Sequence, residues 1–131
     1  MRTITTHHTN ACNRAVTIEA DDPDPNNGNA SHQYEAYWKE REGASPVGKM
    51  RIRESAFIQF QHGPIAEVGV NGITNEVLLA ILIDRLEGFQ SSKFGCVENA
   101  AALAFARNSL AALESRTKNR EARGVEGTHE V

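Results

Sequence analysis

Long apolar runs and a cysteine framework are both missing from this 131-residue sequence. No segment reaches the roughly 18 consecutive apolar residues of a membrane-spanning helix, so the sequence predicts no membrane partner. The opening residues, MRTITTHHTN, have no apolar core, and we expect no secretory signal peptide there. The two cysteines, Cys12 and Cys96, fit reduced cytosolic thiols better than disulfides.

An overall excess of positive charge is also lacking. The formal net charge of −3 argues against a nucleic-acid polymer as partner, because such binding needs a broad basic surface. Between Leu103 and Arg123, however, five basic and two acidic residues give a local excess of +3. This local excess indicates either a small anionic ligand or a basic helix end that complements the helix dipole.

Catalytic and metal-binding motifs are not evident. None of the five histidines has metal-ligand spacing with a carboxylate or cysteine on a helix, and His7–His8 is expected to be solvated rather than to hold zinc. There is no glycine-rich phosphate loop and no GxSxG motif. Cys96 opens a predicted helix without an evident histidine partner. The sequence therefore predicts no catalytic residue, no metal and no cofactor.

The first half of the chain has a strand-like pattern. Residues 1–13 are polar and aperiodic, and we expect a flexible N-terminal tail. Between residues 14 and 70, turn signals such as Asn27–Gly28 separate the segments AVTIEA, HQYEAYW, MRIRESAFIQF and IAEVGV. These predict about four antiparallel strands, with a possible bulge near Ser55.

The second half is helical. TNEVLLAILIDRLEGFQ predicts a helix with Thr74 as its N-cap. Its first two turns are apolar almost all round, so this helix must be covered on more than one face or enter a subunit interface. One stripe at helical spacing consists of Leu78, Leu82, Leu86 and Phe89.

A second helix is predicted from Val97 to Arg120, after a short loop that makes the pair an antiparallel hairpin. Its length, over roughly 30 Å, favours dimerisation through the hairpin. The predicted fold is α+β, a single domain over 14–131, with a sheet region at 14–70 and a helical hairpin and C-terminal ligand clamp at 71–131. A 4-3-4-3 seam is formed by Asn99, Leu103, Ala106, Leu110 and Leu113.

A binding site is predicted where the two helices meet. The short loop keeps Phe89 and Asn99 near each other, although Phe89 also fits a core position and Asn99 also fits a residue that fixes the helix register. Arg116 lies about 25 Å beyond Asn99 along the helix. An antiparallel dimer would bring Arg116 of one chain to Phe89 of the other, at two identical sites.

Three ordered motifs resemble the phage anti-Thoeris sponge family, the first described Thoeris anti-defence proteins. They are NGITNEVLLAILIDRLEGFQ, F-x-C-x-EN from Phe94 to Asn99, and RTKNREARGVEGTH. The resemblance covers about the last 75 residues together with IQFQHGPIAEVGV before them. The first 55 residues have no matching motif.

The resemblance implies a small β-sheet and a helical hairpin, assembled as dimers and in some members as hexamers. It implies sequestration, without cleavage, of cyclic ADP-ribose isomers (1''-2' or 1''-3' glycocyclic ADP-ribose) in the cytoplasm of the infected bacterial host. These signals are made by Thoeris TIR proteins, and some members also bind cyclic tri- or dinucleotides of the CBASS defence. The ligand-binding residues it implies are Phe89, Asn99 and Arg116, followed by Arg120, Arg123, Gly124, Val125, Gly127 and Thr128.

The chemistry of these residue types fits such a ligand. An aromatic ring stacks on adenine, arginines bind phosphate oxygens bidentately, and glycines let the backbone approach. Two alternatives remain open: a cyclic-nucleotide hydrolase, with Glu98 and Glu126 as acid/base candidates, and a hairpin module that binds only other proteins.

Overall fold

The computed structural model describes residues 1–131, which divide into two compact units, Met1–His62 and Gly63–Val131. The sequence had indicated a change from sheet to helices near residue 70, and the structure divides the chain eight residues earlier. The elements in chain order are β1 (Arg2–Ile4), α1 (Ala11–Arg14), β2 (Thr17–Ala20), β3 (Gln33–Ser45), β4 (Gly48–Gln59), α2 (Ile65–Val68), α3 (Asn75–Gln90) and α4 (Val97–Ala122).

The first unit is built on one antiparallel sheet with the strand order β1-β2-β3-β4. Its longest part is the β3–β4 hairpin, in which Gln33 pairs with Gln59 and Ser45 with Gly48. Gly48 has a φ of 126°, a backbone conformation that residues with a Cβ rarely adopt. Together with the helices of the second unit, this sheet confirms the predicted α+β class.

Two local predictions for this half of the sequence are wrong. Within the supposed flexible tail of residues 1–13, Arg2–Ile4 forms β1 and pairs with β2, and α1 begins at Ala11. The supposed last strand, IAEVGV, instead contains helix α2. Pro64, with φ −69°, precedes α2 and Gly69, with φ 74°, ends it. Elements of three or four residues are too short for periodicity to identify.

The predicted bulge lies opposite Ser55. The register of the β3–β4 hairpin shifts between Tyr37 and Lys39, which pair with Ser55 and Glu54. The extra residue, Trp38, is therefore on β3 rather than on β4.

Arg53 joins three strands of the sheet. Its guanidinium donates hydrogen bonds to Glu35 (2.6 Å), Glu40 (2.7 Å) and Glu19 (3.2 Å), and it lies 4.0 Å from the ring centroid of Tyr37. Hydrogen bonds to Glu40 and Glu35 raise the pKa of Arg53 above its usual value. Arg53 therefore stays charged at any ordinary pH and neutralises a group of carboxylates that would otherwise repel one another.

The second unit contains the predicted helical hairpin. Thr74 caps α3 by accepting a hydrogen bond from the backbone N–H of Val77 (3.3 Å). The buried contact between α3 and α4 consists of Ile83, Leu103 and Ala106, with Leu79, Leu86 and Leu110 packed against them. The predicted seam of α4 is thus confirmed at Leu103, Ala106 and Leu110.

The apolar stripe predicted for α3 matches the seam at Leu86 but not at Leu78 and Leu82. Leu78 and Leu82 remain 40% and 46% exposed, whereas Leu79 and Ile83, one position further along the chain, face α4. The sequence could not distinguish these faces because this helix is apolar almost all round. No helix of the structure is long and apolar enough to cross a membrane.

Candidate functional site

A pocket of about 450 Å³ lies where α3 ends and α4 begins. This volume is in the range, roughly 300–1,000 Å³, that small-molecule sites occupy. The structure therefore brings Phe89 and Asn99 together, as the sequence predicted. The lining residues are Leu82, Arg85, Leu86, Phe89, Phe94 and Asn99.

The loop between the helices is held in place by its own polar groups. The backbone N–H of Cys96 donates to Oε1 of Gln90 (2.9 Å), and the hydroxyl of Ser92 donates to the carbonyl of Phe89 (2.7 Å). Cys96 caps α4, since its sulfur accepts a hydrogen bond from the backbone N–H of Asn99 (3.4 Å). This short, internally bonded loop fixes the distance between the two helix ends.

The pocket presents two aromatic rings and one cation. The rings of Phe89 and Phe94 meet edge to face, with centroids 6.4 Å apart. The guanidinium carbon of Arg85 lies 5.3 Å from the centroid of Phe89. Aromatic faces can stack on a planar base, and a guanidinium beside them can pair with an anion.

Asn99 is oriented by the loop. Its Nδ2 donates to the carbonyl of Phe94 (3.4 Å), a long hydrogen bond that a ligand can replace at little cost. Its side-chain oxygen has the chemistry to accept from the amino group of a base or from a ribose hydroxyl.

Arg85 and Phe94 were not singled out from the sequence. Arg85 precedes Phe89 by four residues, so both lie on one face of α3, and Phe94 opens the F-x-C-x-EN motif. The i, i+4 spacing was therefore a usable signal for Arg85.

Arg116 does not line the pocket of its own chain. It is exposed on α4, four helical turns and more beyond Asn99. Its role in ligand binding stays a prediction that requires a second chain.

The C-terminal segment, Gly124–Val131, is folded back onto the end of α4. Gly124, with φ 72°, donates its N–H to the carbonyl of Glu121 (3.0 Å), and the N–H of Val125 donates to the carbonyl of Arg120 (3.0 Å). This is a Schellman motif, which turns the chain sharply at a helix end. Further along, the carbonyl of Gly127 accepts from the N–H of Ala66 at the start of α2 (3.1 Å).

Arg120 is the centre of this folded segment. Only 7% of the residue is exposed, and its guanidinium donates to the carboxylate of Glu126 (3.1 Å). It also donates to the carbonyls of Val125 (2.9 Å), Thr128 (3.1 Å) and Glu130 (2.5 Å). Arg120 therefore positions the C-terminal segment within its own chain, where the sequence had indicated a ligand contact.

Two other residues of the predicted clamp also donate hydrogen bonds to the C-terminal segment. Arg123 donates to the main-chain oxygen of Val131 (2.7 Å), and the hydroxyl of Thr128 donates to the carbonyl of Val125 (2.5 Å). Arg123 and Thr128 are exposed, so a ligand can reach them. Their ligand-binding role stays a prediction.

A comparison with known protein families identifies the segment that forms this pocket. Residues 53–117 match the family described as "Acb2/Tad1, hairpin domain". The chain carries an Acb2/Tad1 hairpin domain. All six lining residues of the pocket belong to the matched segment. For this segment, the match confirms the resemblance that the sequence motifs had indicated.

One curated relative of the hairpin domain has a name that describes a role. Over 75 residues the chain is 52% identical to "Thoeris anti-defense 1" of Bacillus phage SBSphiJ7. The match covers 57% of this chain and 53% of the relative, so it spans about half the length of that protein.

A second cluster of polar side chains lies mostly outside the matched segment. Asp24, His32 and His62 each place a potential metal-ligating atom within 4.8 Å of the other two. A hydrogen bond with His62 holds the pKa of Asp24 at about 2, below its usual value. The sequence did not predict this cluster, because its three residues come from separate loops rather than from one helix.

Proposed function

We propose that this protein sequesters cyclic ADP-ribose isomers made by Thoeris TIR proteins and thereby protects a phage. The pocket at Phe89, Phe94, Arg85 and Asn99, within a hairpin domain of the anti-Thoeris family, is the observation that supports this proposal. The ligand carries an adenine face, ribose hydroxyls and a pyrophosphate. Each has a chemically matched group in the pocket: ring, amide and guanidinium.

The site is completed by a second copy of the chain. Nanomolar retention of a signal corresponds to about −12 kcal/mol, which one stacked ring and one guanidinium do not supply. Arg116 of a partner hairpin, docked antiparallel, adds a bidentate phosphate contact and buries the ligand. The exposed apolar residues of α3, among them Val77, Leu78 and Ile81, provide the surface for that docking.

Sequestration requires no acid/base chemistry, and one of the two candidate carboxylates is already engaged. Glu126 accepts a hydrogen bond from buried Arg120 (3.1 Å), an ion pair that holds this carboxylate in the C-terminal segment. We therefore expect bound ligand to be released intact. A cyclic tri- or dinucleotide is a further candidate ligand, tested by the same measurement.

A chromatographic mass balance tests the proposed function. The protein is incubated with a TIR-generated cyclic ADP-ribose isomer, free ligand is removed by filtration, and the protein is then heated. Depleted ligand that returns unchanged on heating supports sequestration. A linear product would make the protein a hydrolase, and ligand that is never depleted would leave the hairpin as a protein-interaction module.

Phe89→Ala is expected to weaken ligand retention roughly 5- to 150-fold, because base stacking on an aromatic ring contributes about 1–3 kcal/mol. Isothermal titration measures the change. Phe57→Ala, which removes a 63% exposed ring from the other unit, is the matched control and is expected to bind normally. Equal affinities for both variants would remove Phe89 from the site.

Arg116→Ala is expected to abolish sequestration while the oligomer persists, since the side chain is exposed and is not part of the buried core of the hairpin. Sedimentation velocity and the mass balance together check this. Mixing Arg116→Ala with Phe89→Ala chains provides a stricter test, because a mixed antiparallel dimer regains one intact site out of two. Mixtures that regain no binding would exclude the two-chain arrangement.

A further inference from the structure

Three residues from different parts of the first unit meet at one place. Asp24 lies in the loop between β2 and β3, His32 comes directly before β3, and His62 follows β4. The antiparallel pairing of Gln33 with Gln59 brings the residues before β3 close to those after β4. The potential ligand atoms of all three side chains lie within 4.8 Å of one another.

His32 is poorly explained by packing alone. It is only 7% exposed, and its Nε2 is buried with no hydrogen-bond partner. A buried imidazole nitrogen without a partner is costly, and native proteins rarely leave one so. The ring of His32 also stacks on that of His62, with centroids 4.2 Å apart and planes 9° from parallel. Two imidazoles this close repel if both are protonated, whereas two neutral imidazoles can share a cation.

The surroundings hold this cluster in a defined geometry. The carboxylate of Asp24 accepts from the backbone N–H of Asn26 (2.9 Å) and from Nδ2 of Asn27 (2.7 Å). The backbone of His32 is fixed at both ends: its N–H donates to Asp21 (2.9 Å), and its carbonyl accepts from Phe60 (2.7 Å). Hydrogen bonds of this kind are what orient the ligands of metal sites.

We propose that Asp24, His32 and His62 form a binding site for a divalent first-row transition-metal ion, of which Zn²⁺ fits best. Two imidazoles and one carboxylate are a preferred ligand set for zinc, whereas Mg²⁺ and Ca²⁺ require mainly oxygen ligands. With metal–ligand bonds of about 2.0–2.2 Å, tetrahedral ligands lie roughly 3.3 Å apart. Nε2 of His62 and the carboxylate of Asp24 are 2.8 Å apart, so these two atoms must separate slightly when the ion binds. A metal lies in the plane of each imidazole that binds it, so one of the two stacked rings must also rotate.

The bound ion would tie the β2–β3 loop to the chain after β4. Three protein ligands leave a fourth position for water or for another group. Because the ligands come from three separate segments, the ion stabilises the folded first unit and binds the unfolded chain weakly. This site is independent of the nucleotide pocket, so either proposal can fail without the other.

Titration of the chelator-treated full chain with Co²⁺ tests the site. Tetrahedral Co²⁺ gives strong visible absorption, and we expect saturation at one ion per chain, with Zn²⁺ displacing it. Excess Zn²⁺ is also expected to raise the Tm by roughly 5 °C. Absence of both the absorption and the shift in Tm would overturn the proposal.

Matched variants locate the binding. Asp24→Asn keeps a side-chain oxygen for the N–H of Asn26, and His62→Gln changes an exposed side chain, so both should fold. Each is expected to weaken Co²⁺ binding more than roughly 100-fold, because loss of a ligand exceeds the 10- to 100-fold effect of losing a supporting residue. His7→Asn is the control, because it alters the other histidine pair, whose rings are 4.3 Å apart, and it should bind Co²⁺ normally. If His7→Asn loses the ion while Asp24→Asn and His62→Gln retain it, the proposed ligands are wrong.

Discussion

A buried arginine at the end of a helix is a costly residue unless every donor has an acceptor. Four of the five N–H groups of Arg120 have acceptors, one carboxylate and three backbone carbonyls, all from the C-terminal segment. Its position is the continuation of the α4 seam: Leu103, Ala106, Leu110, Leu113, Thr117 and Arg120 follow the same 3-4 spacing, and all are wholly or partly buried. Extending the seam beyond Leu113 would have predicted the burial of Arg120 from the sequence.

Arg120→Ala is expected to release the C-terminal segment and to lower the free energy of unfolding by about 2 kcal/mol, through loss of charge-assisted hydrogen bonds. Amide hydrogen exchange of residues 124–131 measures the release. Arg123→Ala removes one exposed hydrogen bond and serves as the control, with little expected change. Unchanged protection in Arg120→Ala would mean that the Schellman turn alone holds the segment.

At the scale of elements, hydrogen bonds from side chains to the backbone join neighbouring strands of the first unit. The carboxylate of Asp21, just after β2, accepts from the backbone N–H groups of His32 (2.9 Å) and Gln33 (3.2 Å) at the start of β3. Burial acts to raise the pKa of Asp21, but hydrogen bonds from Gln33 and His32 outweigh it and hold the pKa below its usual 3.8. The ionised carboxylate thus joins two strands.

The stability that Asp21 contributes should depend on pH. Because its folded-state pKa is lowered, the contribution is present above the unfolded value of 3.8 and is lost as the pH falls below it. Asp21→Asn is therefore expected to melt roughly 5 °C below the wild type at neutral pH. The difference should shrink on acidification to about pH 3. Thermal melts of both proteins across this range check it, and a constant difference would contradict the role of the charge.

Elements of different length were predictable to different degrees. Helices α3 and α4 carry 16 and 26 residues, so their apolar period and the cap at Thr74 were readable. Strand β1 has three residues and α2 has four, too few to show a period. Phe89 and Asn99 could be placed together because a short loop joins their helices. The sequence could not place Asp24, His32 and His62 together, because their proximity depends on the register of the β3–β4 hairpin.

On the scale of the whole molecule, α3 exposes a cluster of large apolar side chains. Val77, Leu78, Ile81 and Leu82 are each at least 40% exposed on this one helix. Their side chains form a face that α4 does not cover. We expect a second chain to cover this face, with a dimer as the smallest assembly.

Ile81→Glu is expected to convert that assembly to monomers, because the charge would be buried unpaired at the contact. Val47→Glu introduces the same charge at the β3–β4 turn, where the residue is 97% exposed, and should leave the assembly intact. Sedimentation velocity compares the two variants with the wild type. A wild-type chain that is already monomeric at micromolar concentration would contradict the predicted interface.

The buried guanidinium also restricts how the chain can be shortened. A protein trimmed after Arg123 would keep every residue of α4, yet Arg120 would lose all four of its acceptors, the carboxylate of Glu126 and three carbonyls. Deleting the last eight residues would therefore destabilise the seam of α4, because it leaves the buried guanidinium of Arg120 without acceptors. An apolar residue at position 120 is the compensating change that a truncated hairpin would require.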